Sequence, residues 1–133
     1  MTDDEILSAV KRASVIAARM PQDRFLRTFA NFRIPRTRAL WEGLVGIAHH
    51  DPEAWRAVSA LPFRPAVLFF EPSHHVGAWL FEDCHAVART LAELPAVGFY
   101  VTDEAATGIF AFNDHDVAIA VGTAAVAMPP SKS

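Results

Sequence analysis

The 133-residue chain has a single cysteine, Cys84, so no disulfide can close within it, which fits a reducing compartment. Glycine is also scarce. The six glycines nowhere form G-x-G-x-x-G or G-x-x-x-x-G-K-[ST], the loops whose backbone approaches phosphate, which argues against nucleotide-dependent chemistry. There is no long apolar run either: the longest, over residues 117–128, contains Gly122 and Thr123 and falls short of the roughly 20 residues of a membrane-spanning helix. The start, Met-Thr-Asp-Asp-Glu, lacks the basic and apolar regions of a secretory signal, so cytoplasmic residence and no membrane association are expected. Internal repeats and low-complexity linkers are missing too, and the length suits one domain over 1–133 with a frayed tail at 129–133.

What is present is a globular composition, 52% hydrophobic and 20% charged, in which 24 alanines make the apolar fraction small-sided rather than greasy. The net charge of −3 conceals a segregation: residues 11–38 hold eight bases against the single acid Asp23. From residue 39 onward the bases are Arg56, Arg64, Arg89 and Lys132, against eleven acids. The sequence is therefore a charge dipole along its length.

Local patterns give an α+β expectation: a helical N-terminal half packed on a small antiparallel sheet that contains a C-terminal three-stranded meander. Thr2 and Glu5 form a capping box before a helix carrying Ile6, Val10, Ala13 and Ala17 at helical spacing. A second helix is expected between Pro21 and Pro35, with Phe25, Leu26, Phe29 and Phe32 on one stripe. Leu40, Trp41, Leu44, Val45 and Ala48 predict a third over 37–49, and Asp51-Pro52-Glu53 opens a fourth carrying Trp55, Val58 and Leu61. Beyond Pro65 the period changes. Residues 66–70 read as a buried strand and 77–81 as a second strand or an irregular approach to a helix capped by Asp83. Alternation over 97–102, followed by strands over 108–112 and 117–121, gives the meander.

Several groups could carry chemistry. Asn113-Asp114-His115-Asp116 could present two carboxylates to a divalent ion, although these residues also suit a hairpin turn. His49-His50 and His74-His75 match no named zinc pattern, and a metal site of His75 or His85 with Asp114, His115 and Asp116 is the alternative for a small metal-dependent hydrolase or metal-binding domain. Cys84 beside His85 supplies the names of a nucleophile and a base, but neighbours on a helix point about 100 degrees apart. A further alternative is nucleic-acid binding through the Arg-rich segment 19–38, led by Arg24, Arg27, Arg33, Arg36 and Arg38; the phenylalanines between them share a core stripe, and the acidic remainder opposes phosphate. No catalytic constellation is complete, and no cofactor or metal is called for.

The C-terminal runs Gly98-Phe99-Tyr100-Val101-Thr102-Asp103, Ile109-Phe110-Ala111-Phe112-Asn113-Asp114-His115-Asp116 and Val121-Gly122-Thr123-Ala124 resemble small bacterial domains that look like immunity proteins of polymorphic and contact-dependent toxin systems. The likeness covers about residues 97–124, with a looser one around Arg38 to Trp41. It implies a non-enzymatic antitoxin that binds a cognate protein toxin and occludes its active site. The acids expected at that contact are Glu82, Asp83, Asp103, Glu104, Asp114 and Asp116, with His115 as a neighbouring hydrogen-bonding group.

Overall fold

The computed structural model describes residues 1–20, 24–32, 34, 40–113 and 115–127. Among the described residues there are seven strands: β1 (Ala17–Met20), β2 (Ile47–His50), β3 (Ala66–Phe69), β4 (Ala78–Phe81), β5 (Phe99–Asp103), β6 (Gly108–Phe112) and β7 (Val117–Gly122). They form one sheet in the order β1-β4-β3-β5-β6-β7-β2, and every neighbouring pair is antiparallel. The helices are α1 (Asp3–Arg12), α2 (Arg24–Asn31), the single turn α3 (Leu40–Gly43) and α4 (Cys84–Leu91), with 3₁₀ segments at Ala54–Ala60 and Thr123–Ala127.

Strand alternation sorts the core into two layers. Leu68 lies opposite both Trp79 and Val101, and Val67 opposite both Leu80 and Thr102. The first set joins Phe81, Phe99 and Phe110 beneath Ile6 and Val10 of α1, Val87 of α4 and Val58 of the first 3₁₀ segment. The second set, with Phe69, Tyr100, Ile109 and Ile119, is covered by Ile34, Leu40 and Leu44. Because both faces are covered, β3 is buried along its whole length, which is why 66–70 reads as an unbroken apolar run rather than an alternating one.

This architecture overturns the expectation of a helical N-terminal half on a small sheet. The N-terminal half supplies both edge strands, and the sheet has seven strands among the described residues rather than a few; the helix expected after Asp83 is present as α4. Two local events account for the difference. The first helix, expected to carry Ala17, stops at Arg12: Ser14 takes a left-handed φ of 57°, its N–H donates to the Lys11 carbonyl, and the Val15 N–H donates back to Val10. That is a Schellman closure, and it releases Ala17 to begin β1. Of the helix expected over 37–49, the described residues keep only the turn Leu40–Gly43, and Ile47 to His50 instead pair with β7. Backbone pairing to an open sheet edge outweighs a helical apolar period in so short a segment. The segment carrying Trp55 and Val58 is a 3₁₀ helix rather than an α-helix. The start of the second expected helix and residues 37–39 of the third lie outside the described residues.

Elsewhere local chemistry acts as its residues suggest. The Thr2 hydroxyl accepts from the Glu5 N–H at 3.2 Å and opens α1. Asp83 caps α4 by accepting from the Ala86 N–H at 2.9 Å. Arg12 ties α1 to the segment just after α4, with Nε 3.2 Å from Glu93 Oε2 and Nη2 donating to the Glu93 carbonyl at 2.8 Å. No helix among the described residues is long and apolar enough to cross a membrane.

Candidate functional site

The sheet register divides the sequence-nominated residues between opposite ends of the sheet. Ala66 of β3 lies opposite Phe81 on one side and Asp103 on the other. Glu82 and Asp83, which follow β4, therefore emerge at the same end as Asp103 and Glu104. With strands about 4.8 Å apart, the two pairs stand about 10 Å from each other across β3. His115 and Asp116 belong to the β6–β7 turn, which lies beyond the Phe99–Phe112 pair at the other end. Asp114 lies outside the described residues. The seven nominated residues thus do not form one patch, and four of them do.

Within that four, two carboxylates have local duties. Asp83 is the helix cap described above, and Asp103 accepts from the Thr107 N–H at 2.6 Å and from the Thr107 hydroxyl, closing the β5–β6 hairpin. Glu82 and Glu104 are exposed. Arg64 comes within 3.7 Å of Glu82, with both side chains mostly in solvent, an arrangement of little energetic weight.

The same end presents apolar side chains that sequence reasoning missed. Ile16, just before β1, and Val45, just before β2, are each 88% exposed, and Ile47 is 44% exposed. Since β1 and β2 are the two sheet edges, Ile16 and Val45 bracket the acids across about 29 Å. The sequence gives no sign of this exposure, because both residues fall in stretches whose apolar spacing predicts helix.

At the opposite end, Asn113 organises the β6–β7 turn. Its Oδ1 accepts from the His115 N–H at 2.9 Å and the Val117 N–H at 3.1 Å, while Asp116 sits at a left-handed φ of 59°. This is the hairpin-turn role open to the Asn-Asp-His-Asp run. His75 is buried near this end, bonded to Met1 and Trp79, whereas His85 is exposed on the first turn of α4, beyond the far end of β4. No group of three or more His, Cys, Asp or Glu side chains among the described residues is placed to hold a metal ion.

The remaining candidates fall as follows. Cys84 is 2% exposed, its Sγ lies 3.6 Å from the Phe63 carbonyl, and burial pushes its pKa up to about 12, which leaves no thiolate for nucleophilic attack at neutral pH. Of the arginine segment, Arg33, Arg36 and Arg38 lie outside the described residues; Arg27 is exposed on α2, and Phe32 packs against the second core layer.

No protein-family model, curated protein or solved structure matches this chain.

Proposed function

We propose that this protein is a cytoplasmic antitoxin of the immunity class, which binds a cognate protein toxin through the acidic end of its sheet and occludes a basic active-site cleft. One observation carries the reading: exposed Glu82 and Glu104 stand at a single sheet end bracketed by the exposed apolar Ile16 and Val45. Exposed apolar side chains beside like-signed charge have the makeup of a protein-binding surface. The carboxylates steer a basic partner and set orientation, and the apolar residues supply contact area once water is displaced. The resemblance of residues 97–124 to immunity proteins names the class of partner, and it covers the β5–β6 hairpin whose tip carries Asp103 and Glu104.

The test is affinity purification of the tagged protein from its native host under conditions where the toxin is expressed, followed by a Kd and an activity assay for any stoichiometric partner. A single partner bound at nanomolar Kd, and inhibited by binding, supports the reading. The Glu82→Lys/Glu104→Lys variant is expected to lower the association rate at least tenfold at low salt without unfolding the domain. Recovery of no such partner overturns the antitoxin reading, and an unchanged association rate in the double variant removes this sheet end from the contact.

A further inference from the structure

Of the six histidines, all among the described residues, His75 alone is buried, and it lies at the end of the sheet opposite those acids. Its ring is held by two aromatic neighbours. Phe70 meets it edge-on, with centroids 5.8 Å apart and planes at 85°, and Trp79 lies beside it at 6.1 Å and 25°. In that orientation Nδ1 faces the Met1 carbonyl at 2.9 Å, while Nε2 has two neighbours of opposite character. Trp79 Nε1 is 3.1 Å away and Asp3 Oδ1 is 3.5 Å away. An indole N–H only donates and a carboxylate only accepts, so Nε2 satisfies one of them at a time. With its lone pair it takes the indole proton; carrying a proton of its own, it donates to Asp3.

Asp3 is placed to receive that proton's charge. Its other oxygen, Oδ2, is 2.9 Å from Arg19 Nε, and Arg19 Nη2 is anchored on the Val76 carbonyl at 3.2 Å, which keeps Oδ1 beside the ring. The Asp3 side chain is half-exposed, so it joins solvent to the buried nitrogen and gives the proton a path. The other charged groups nearby are engaged elsewhere. The Met1 amino group donates to the His74 carbonyl at 2.6 Å, and the His74 ring is exposed. The Glu71 carboxylate accepts from the Tyr100 hydroxyl, and only the Glu71 carbonyl meets His75, accepting from its backbone N–H at 3.1 Å. Asp4 and Glu5 of α1 line a cleft with Arg12 and Glu93, and β4 brings no ionisable side chain. Arg19 is the cation that opposes a charge on the ring, and the Asp3 carboxylate bridges the two.

We propose that His75 is a proton switch in which Nε2 exchanges Trp79 for Asp3. In the neutral ring Nε2 accepts from the indole. When a proton from water adds to the Nε2 lone pair, the indole is released, and the imidazolium pairs with Asp3 Oδ1 while Nδ1–H stays on the Met1 carbonyl. The start of α1 is then tied to the β3–β4 loop by a charged bond. Such bonds are the stronger kind, which offsets the buried indole donor left behind.

The test is ¹H–¹⁵N NMR of the full chain between about pH 8 and pH 5, the range in which imidazoles commonly gain charge, following the His75 ring nitrogens and the Trp79 indole proton. The indole signal is assigned with Trp79→Phe. As Nε2 gains its proton, the indole proton is expected to move upfield and to exchange with water at least tenfold faster, both in one step with the ring. Asp3→Asn removes the charged acceptor at a half-exposed position and should leave the indole signal in place down to pH 5. Arg19→Gln removes the same Asp3–Arg19 ion pair but keeps the carboxylate, and should preserve the exchange. A His75 ring that stays neutral to pH 5 overturns the switch, as does an indole signal that is unmoved when Nε2 is protonated. An Asp3→Asn chain that behaves as the parent, or loss of the exchange in Arg19→Gln, overturns the assignment of Asp3 as the second partner.

Discussion

The indole of Trp79 donates from Nε1 to Nε2 of His75 at 3.1 Å, and the other ring nitrogen, Nδ1, lies 2.9 Å from the carbonyl oxygen of Met1. A neutral imidazole protonated on Nδ1 satisfies both contacts, so a histidine only 5% exposed has each nitrogen used in the folded chain. His75→Phe leaves the buried Trp79 donor without its acceptor and should cost about 1–3 kcal/mol. Trp79→Phe strands the imidazole in turn. If the bond couples them, chemical denaturation of the double variant will show a loss smaller than the sum of the two single losses.

Ser14 occupies the left-handed position of the Schellman closure after α1, where a side chain gains nothing and a Cβ is disfavoured. Ser14→Gly is expected to stabilise the domain by about 0.5–1 kcal/mol, read as a higher denaturation midpoint with an unchanged slope. Ser14→Val should move the midpoint the other way.

Asp103 belongs to the hairpin before it belongs to any interface. Its carboxylate accepts from the Thr107 N–H and hydroxyl, and the variant Asp103→Ala should lose about 1–3 kcal/mol of stability. Asp103→Asn, which keeps the backbone acceptor, should lose less. Thermal denaturation of the two variants distinguishes this turn role from a purely electrostatic one, and interface mapping is better done at Glu82 and Glu104.

The Cys84 thiol sets an alkaline limit. Burial, reinforced by the nearby Asp83 carboxylate, holds its folded pKa at about 12, above the value of 9.0 for a free thiol. A raised thiol pKa means that the unfolded chain releases its proton first. The associated stability is complete below about pH 9 and is lost as the pH rises from there through about 12. The full loss is up to about 4 kcal/mol at about 1.4 kcal/mol per pKa unit. Denaturation curves across this window should fall less steeply for Cys84→Ala than for the parent chain, and alkylation of the native thiol at neutral pH should be slow until denaturant is added.

The legible parts of this fold were those that depend on neighbours in sequence. Thr2 with Glu5, Asp83 before α4, and the alternation of Phe99, Tyr100 and Val101 all express local rules, and the structure uses those residues as a cap, a cap and a strand. The edge strands were illegible for the opposite reason. Ala17-Ala18-Arg19-Met20 has neither alternation nor much burial, and it is a strand because β4 offers it backbone partners. Ile47 to His50 follows helically spaced residues and becomes a strand because β7 has a free edge. The candidate contact surface was half legible for the same reason. Charge marked its acids, but only the long-range register shows that Glu82 and Glu104 share a sheet end that His115 and Asp116 do not.

The two outer strands come from the first fifty residues, yet each lies against a strand that follows residue 65, and Ile47 waits for Ala120. On the ribosome the N-terminal segment must leave the tunnel without its neighbours, because β7 is synthesised some seventy residues later. At about 5–20 residues per second that is an interval of several seconds. The five central strands, contiguous in the chain from β3 onward, can assemble among themselves, with the two early segments closing their open sides last. A nascent chain arrested before residue 117 would present the open side of β6 to other chains, which makes the arrival of β7, as much as the burial of the core, the event that covers that side of the sheet.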